Sequence, residues 1–127
     1  MKLVTVLLFV MLYAGSALAH GKIITVNALV TGYCKCEKCC GASASGITST
    51  GEVADEKMGC AVDPRLIPYN SKVCIPKIGW RRANDTGGAM RADGAHGIYH
   101  VDVYFKTHDE ALRFGHRKVR IKIRMNK

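Results

Sequence analysis

The sequence predicts a mainly β fold, a small closed barrel with one short helix, and three observations carry that prediction. Apolar and β-branched residues fall in short runs rather than at helical spacing. Pro64, Pro68 and Pro76 and glycine-bearing turns separate those runs. One stretch alone carries the start and stop signals of a helix. A short chain built of many strands is better closed than left as a sandwich, because closure removes exposed sheet edges.

Taken in order, the first nineteen residues read as a secretory signal peptide: Lys2, an apolar run from Leu3 to Tyr13, then Ala17-Leu18-Ala19, whose small-x-small pattern suits signal peptidase. The run is shorter than the ~20 residues a permanent membrane anchor needs. Cleavage before His20 leaves 127 − 19 = 108 residues, enough for one domain spanning residues 20–127. Ile23 to Tyr33 is rich in β-branched residues and predicts the first strand. Gly41 to Gly51 is nearly all Gly, Ala, Ser and Thr, a composition for close turns. Further strands are expected near 58–62, 72–75, 80–84, 99–105 and 118–124. The helix is expected after Thr107, where Thr107 and Glu110 have the spacing of a capping box and Gly115 is placed to end it.

Charge gives a second constraint. The formal net charge is +9, and +9 − 1 = +8 without Lys2. Much of it lies in Arg117, Lys118, Arg120, Lys122, Arg124 and Lys127. Such a face attracts polyanions or anionic surfaces. Val119, Ile121 and Ile123 alternate with these cations, so the same segment reads as a half-buried strand whose charges guard a sheet edge. An exported chain without a helix-turn-helix or RNA-binding signature is not expected to bind nucleic acid.

Cys34, Cys36, Cys39, Cys40, Cys60 and Cys74 suit an oxidising compartment, where disulfides staple small domains. Six cysteines allow 15 pairings, so connectivity stays open. The cluster Cys34-x-Cys36-x2-Cys39-Cys40 has a second reading as zinc ligands, with distant residues completing a tetrahedral site. Among His96, His100, His108 and His116 no pair is read as sitting at helical ligand spacing with a third acid nearby, and all four read as surface or loop residues. No catalytic metal or cofactor is therefore expected. Trp80, Tyr99 and Tyr104 suit stacking on sugar rings but more commonly fill a core.

Three aspartates stand in short motifs of their own: Asp63 in Ala61-Val62-Asp63-Pro64, Asp85 in Asn84-Asp85-Thr86-Gly87-Gly88, and Asp102 in His100-Val101-Asp102-Val103-Tyr104. Asp63 and Asp85 are each consistent with turn residues bonding their own backbone. Asp102 interrupts a strand, where aspartate is depleted, and its neighbours Val101 and Val103 predict a carboxyl that keeps its proton to higher pH.

These motifs, together with Thr31-Gly32-Tyr33-Cys34, Cys39-Cys40-Gly41, Thr48-Ser49-Thr50-Gly51 and Glu110-Ala111-Leu112-Arg113-Phe114-Gly115, occur in the order of the 3D domain, which the chain resembles from about Thr25 to Ile123. That domain is named for its three aspartates. It is similar to the catalytic part of the membrane-bound lytic transglycosylase A family and to the stationary-phase survival proteins. The resemblance implies a double-psi β-barrel and a lytic transglycosylase acting on the MurNAc–GlcNAc bond of peptidoglycan glycan strands. It implies Asp102 as general acid/base, with Asp85 and Asp63 as supporting carboxylates of the same cleft. Thr50, Gly51, Gly87, Gly88 and Tyr104 would contact substrate. The segment from Thr86 to Val101 is longer than in typical members, through residues around Arg91 to Gly97, and is expected to reshape substrate binding. Two alternatives stand beside this reading: a noncatalytic expansin-like or barwin-like wall-binding module on the same barrel, and a secreted hydrolase using two of the aspartates.

Overall fold

The computed structural model describes residues 21–41, 44–55 and 59–126, so the expected signal peptide lies outside the described residues. Six strands, β1 (Ile23–Tyr33), β2 (Gly59–Ala61), β3 (Lys72–Ile75), β4 (Gly79–Asp85), β5 (Tyr99–Tyr104) and β6 (Arg117–Arg124), close into a barrel in the order β1-β5-β2-β4-β3-β6. The pairs β1–β5 and β2–β4 are parallel; β1–β6, β2–β5, β3–β4 and β3–β6 are antiparallel. The barrel expected from the sequence is therefore present, with strand positions close to those predicted.

Alternation along the strands fills the barrel. Val30, Val73, Val101, Val103, Ile121 and Ile123 are fully buried and form one core with Cys60, Val62 and Ile67. On β6, Ile121 and Ile123 point in while Lys118, Arg120 and Lys122 are exposed. The half-buried reading of this strand holds. Closure pairs β6 with β1 along its whole length and with β3 at Lys122, Ile123 and Arg124, so the edge-guarding reading falls for that end of the strand but not for Lys118 and Arg120, which pair with β1.

Among the described residues three short helices are present where one was expected. The expected one, α3 (His108–Phe114), has Thr107 as its N-cap, a complete Thr107–Glu110 capping box and Gly115 at its C-terminal end. It packs against β1, with Phe114 against Phe105 at 5.2 Å between ring centroids. The additional ones are α1 (Glu37–Cys40), a single turn, and α2 (Gly88–Gly94), which lies against β5. The glycines at both ends of α2 read as turn residues in the sequence. Between them Ala89, Met90, Arg91 and Ala92 are good helix formers, and burial of Met90 anchors the helix to the barrel wall. The long segment after Asp85 is thus built around this helix.

A second, smaller cluster of Tyr33, Ala61, Met90 and Tyr104 lies on the outer face of the wall. Val101 and Val103 face the barrel interior, so His100, Asp102 and Tyr104 face outward beneath α2, because successive side chains of a strand alternate. The wall at this place carries the cleft.

Candidate active site

Strand register brings two of the three aspartates into one row. On β5, Asp102 pairs with Thr31 of β1 on one side and with Ala61 of β2 on the other. Ala61 in turn pairs with Asp85 of β4. A register shift between Cys60 and Ala61 skips Asn84; without it Ala61 would face Asn84 and Asp85 would leave the row. The result is a line Thr31, Asp102, Ala61, Asp85 across four strands. Ala61 is the small residue between the two acids and forms the floor of a cleft of about 380 Å³ that both line, with Tyr33, Gly87 and Gly88.

The two carboxylates have different surroundings. Asp85 accepts four hydrogen bonds: Oδ1 takes the Ser49 amide at 2.9 Å, the Ser49 hydroxyl at 2.7 Å and the Thr86 amide at 2.8 Å, and Oδ2 takes the Tyr33 hydroxyl at 2.9 Å. Burial, then the charge of Asp85 and the bond to it, push the Tyr33 phenol far above its ordinary range, so Tyr33 stays a donor. Asp102 is half-buried and accepts from the Thr31 hydroxyl on Oδ1 at 2.9 Å. Its carboxyl is pushed up, first by burial and also by the charge of Asp85, against opposing pulls from the Thr31 bond and His100. The direction is the one expected. The burial, however, comes from the outer face, since Val101 and Val103 point away into the core.

Behind Asp102 runs a chain of polar groups. Thr31 Oγ1 lies 2.8 Å from His100 Nε2, and His100 Nδ1 lies 2.7 Å from Asp93 Oδ2. His100 is buried and Asp93 belongs to α2. His100 is therefore an internal residue of the site, and the surface or loop reading of this histidine is corrected. Its place two residues before Asp102 on one strand puts both on the same face, a signal present in the sequence; its partners Thr31 and Asp93 become visible only with the strand pairing.

Asp63 stands apart. It sits in the turn after β2, its side chain buried, and Arg65 grips it through Nε at 2.9 and 3.0 Å, Nη2 at 2.6 Å and its amide at 3.0 Å. These bonds hold its carboxyl below the usual range. Arg65 also donates to the Arg91 carbonyl at 2.7 Å, tying the turn to α2. A Cβ on Gly94 would lie 1.9 Å from Asp63 Oδ2, so the last turn of α2 rests directly on this carboxylate. Asp63 does not line the cleft that holds Asp85 and Asp102; it props the helix that covers it.

The remaining expected substrate residues divide similarly. Gly87 and Gly88 line the cleft, and the bare Cα of Gly87 leaves room for Met90, whose Cε would be 2.6 Å from a Cβ there. Thr50 and Gly51 lie in the turn closed by the Ile47–Val53 bridge. Thr50 bonds the Asn84 carbonyl through its amide and its hydroxyl, which fixes the turn so that Ser49 meets Asp85. Tyr104 is buried behind the cleft, edge-on to Tyr33 at 5.4 Å between ring centroids.

The cysteines depart from the stapled arrangement. All six are free thiols. Cys60 is enclosed in the barrel core, and Cys74 on β3 is separated from it by β4, while the other four lie outside the barrel after β1. Cys34, Cys36 and Cys39 converge on His108 at the start of α3, with all four ligand atoms within 4.8 Å of one another. The surface or loop reading of His108 is corrected, and the distant residue that the zinc reading of the cysteine cluster called for is this histidine: these four can hold an ion. A histidine that opens a capped helix gives no sequence signal of meeting a loop some seventy residues earlier.

A closed six-stranded barrel bearing an acidic cleft on its wall, with Asp85 and Asp102 in one row across the strands and Asp63 in the turn after β2, defines the class. The family model described as 3D domain matches residues 58–125, and the chain belongs to the 3D-domain family. The chain is similar to two proteins of Bacillus subtilis (strain 168). One is YabE, named for cell wall shaping, at 35% identity over 104 residues, covering 81% of this chain and 23% of YabE. The other is the cell wall-binding protein YocH, at 33% identity over 82 residues, covering 62% of this chain and 26% of YocH. The chain thus spans about a quarter of the length of each relative.

Proposed function

We propose that this chain is an exported, cell-wall-associated lytic transglycosylase that cleaves the MurNAc–GlcNAc bond of peptidoglycan and leaves 1,6-anhydro-MurNAc ends. The observation that carries the reading is Asp102, an acid whose carboxyl is pushed up inside a cleft and connected through Thr31 to His100 and Asp93. Membership of the 3D-domain family and the cell-wall names of the two relatives support the substrate class. Cleavage of the leader before His20 belongs to the same proposal.

The reaction needs Asp102 first as an acid and then as a base. As an acid it protonates the leaving sugar oxygen while the C1–O bond breaks and positive charge develops on the MurNAc ring. As a carboxylate it then takes the proton of the same sugar's C6 hydroxyl as O6 bonds to C1, which restores neutral Asp102 and incorporates no water. The tethered hydroxyl avoids the entropy cost of recruiting a second reactant. Asp85, held as an acceptor by Ser49, Thr86 and Tyr33, places negative charge in the cleft that favours both the protonated acid and the developing cation.

The polar chain behind Asp102 admits two proton arrangements. With Thr31 donating to an ionised Asp102, His100 donates from Nε2 to Thr31 and from Nδ1 to Asp93, and the ring is an imidazolium. With Asp102 protonated and donating to Thr31, the Thr31 hydroxyl donates to Nε2 and the ring is neutral. The two arrangements are tautomers of one chain; when Asp102 gives its proton to the leaving oxygen the chain holds one proton fewer, until the C6 hydroxyl returns one to Asp102.

Digestion of purified peptidoglycan with the chain from residue 20 onward tests the reading. The expected fragments end in 1,6-anhydro-MurNAc, lighter by one water than hydrolysed ends, and Asp102→Asn lowers their yield by roughly 10²–10⁴ while remaining folded. Ends carrying oxygen from labelled water would mean hydrolysis, with Asp85 activating the water. A second reading, a wall-binding module without catalysis, is favoured by the name of YocH. Sedimentation with the wall and no fragments would establish it.

A further inference from the structure

We propose that Cys34, Cys36, Cys39 and His108 form a structural zinc site that braces the rim of the cleft, an assignment independent of the catalytic reading. The four residues come from two separate parts of the chain, the loop and single turn that follow β1 and the first residue of α3. Cys34 Sγ lies 2.8 Å from Cys36 Sγ and 3.4 Å from Cys39 Sγ. His108 Nδ1 lies 3.9, 3.5 and 3.3 Å from Cys34, Cys36 and Cys39. Zinc bonds of about 2.3 Å to sulfur and 2.0–2.1 Å to nitrogen make a tetrahedron with edges of about 3.5–3.8 Å. The three nitrogen–sulfur separations, 3.3 to 3.9 Å, lie close to that range, and Cys34 and Cys36 must part by about 1 Å to admit the ion. The sulfur separations are also well beyond the ~2.05 Å of a disulfide bond.

The ligand set discriminates among ions. Three thiolates and one imidazole are soft donors that suit zinc and exclude magnesium or calcium. All four positions come from protein, which is the closed coordination of a structural site rather than the open one of a catalytic site. Binding expels the three thiol protons to solvent and leaves His108 neutral, bonded through Nδ1. Cys40 is excluded from the set because its Sγ is turned to the Cys34 carbonyl at 3.0 Å. Cys60 and Cys74 are excluded by their places on β2 and β3.

The consequence is positional. Cys39 and Cys40 line the cleft that holds Asp85 and Asp102, and the turn that carries them has no buried residue of its own. A four-residue helix without a buried face does not persist by packing. A metal that joins it to the capped start of α3 supplies the missing anchor.

The test uses the full chain, produced with zinc chloride in the medium, its metal content measured by mass spectrometry. About one zinc per chain is expected. Iodoacetamide should then modify Cys40 but spare Cys34, Cys36 and Cys39 until a chelator is added, a readout that requires no variant. His108→Ala should lose the zinc and lower Tm, His108→Cys should keep it with four thiolates, and Cys40→Ser and Cys74→Ser should keep the wild-type content. Cobalt(II) in place of zinc should give the absorption of a tetrahedral thiolate site. A chain with no zinc, another metal in its place, a disulfide among Cys34, Cys36 and Cys39, or zinc lost in Cys40→Ser would each overturn the assignment.

Discussion

Asp102 is an acid placed where ionisation is costly, and the Thr31 hydroxyl works against that cost by donating to its carboxylate. A hydrogen bond to the charged form of an acid lowers its pKa, so removing the bond raises it. The proposed reaction starts from protonated Asp102, and its rate falls as pH rises through the pKa of that group. Thr31→Val should therefore move the descending limb of the pH–rate profile to higher pH, even as it breaks the connection to His100 and lowers the maximal rate. Thr31→Ser keeps a hydroxyl in place and should leave the limb where it is. Rates of fragment release across the pH range decide the matter; a Thr31→Val profile with an unmoved limb would remove the hydroxyl from control of Asp102. The opposite sign, a limb moved downward, would mean that the bond favours the neutral acid.

At the scale of elements, Asp63 and Asp102 make opposite contributions to how the parts hold together. The Arg65 clasp lowers the pKa of Asp63, so its stabilisation is present above the unfolded pKa and is lost as pH falls through the folded one. Burial raises that of Asp102, so the unfolded chain releases this proton first and the folded state loses ground as pH rises toward the folded pKa. Asp63→Asn should then lower Tm at neutral pH, with the deficit shrinking in acid. Asp102→Asn should match or exceed wild type at neutral pH. Thermal melts from acid to neutral pH check both, and an Asp63→Asn variant as stable as wild type at neutral pH would contradict the propping role of the Asp63–Arg65 pair beneath α2.

The same elements show what a sequence conveys. Strands β1, β3 and β6 and helix α3 were legible because their signals are local: β-branched runs, alternation and a capping box act within a few residues. Asp102 was legible because an aspartate in a strand conflicts with its surroundings. Helix α2 was not, since glycines at both ends mask a short helix that depends on Met90 and on the contact of Gly94 with Asp63. The row Thr31, Asp102, Ala61, Asp85 was also hidden, because a register shift of one residue at Cys60 decides it and no local pattern records a shift. Asp63 was expected beside the other two by motif, yet its arginine partner two residues on, within the same turn, marks a side chain occupied locally.

For the whole molecule, the outward cations of β6 give the barrel a basic side, with Lys118, Arg120 and Lys122 exposed along a strand whose alternate residues are locked in the core. None of these three lines the cleft of Asp85 and Asp102. Under the proposed function, their attraction for an anionic wall is a matter of association and is separable from bond cleavage. Opposite charges on solvated surfaces are screened beyond about 8 Å at physiological ionic strength and beyond about 3 Å at 1 M salt, whereas a proton transfer at a partly buried group is screened far less. Sedimentation of the folded Asp102→Asn variant with intact wall should fall steeply as salt is raised. Replacing Lys118, Arg120 and Lys122 by glutamine should weaken binding at low salt and flatten that dependence. In the active protein the same triple replacement should raise KM for wall fragments with kcat little changed, since the three side chains bind substrate equally before and during the reaction. A fall in kcat with unchanged KM would place the basic side in the chemistry, and salt-independent sedimentation would place wall recognition in the cleft alone.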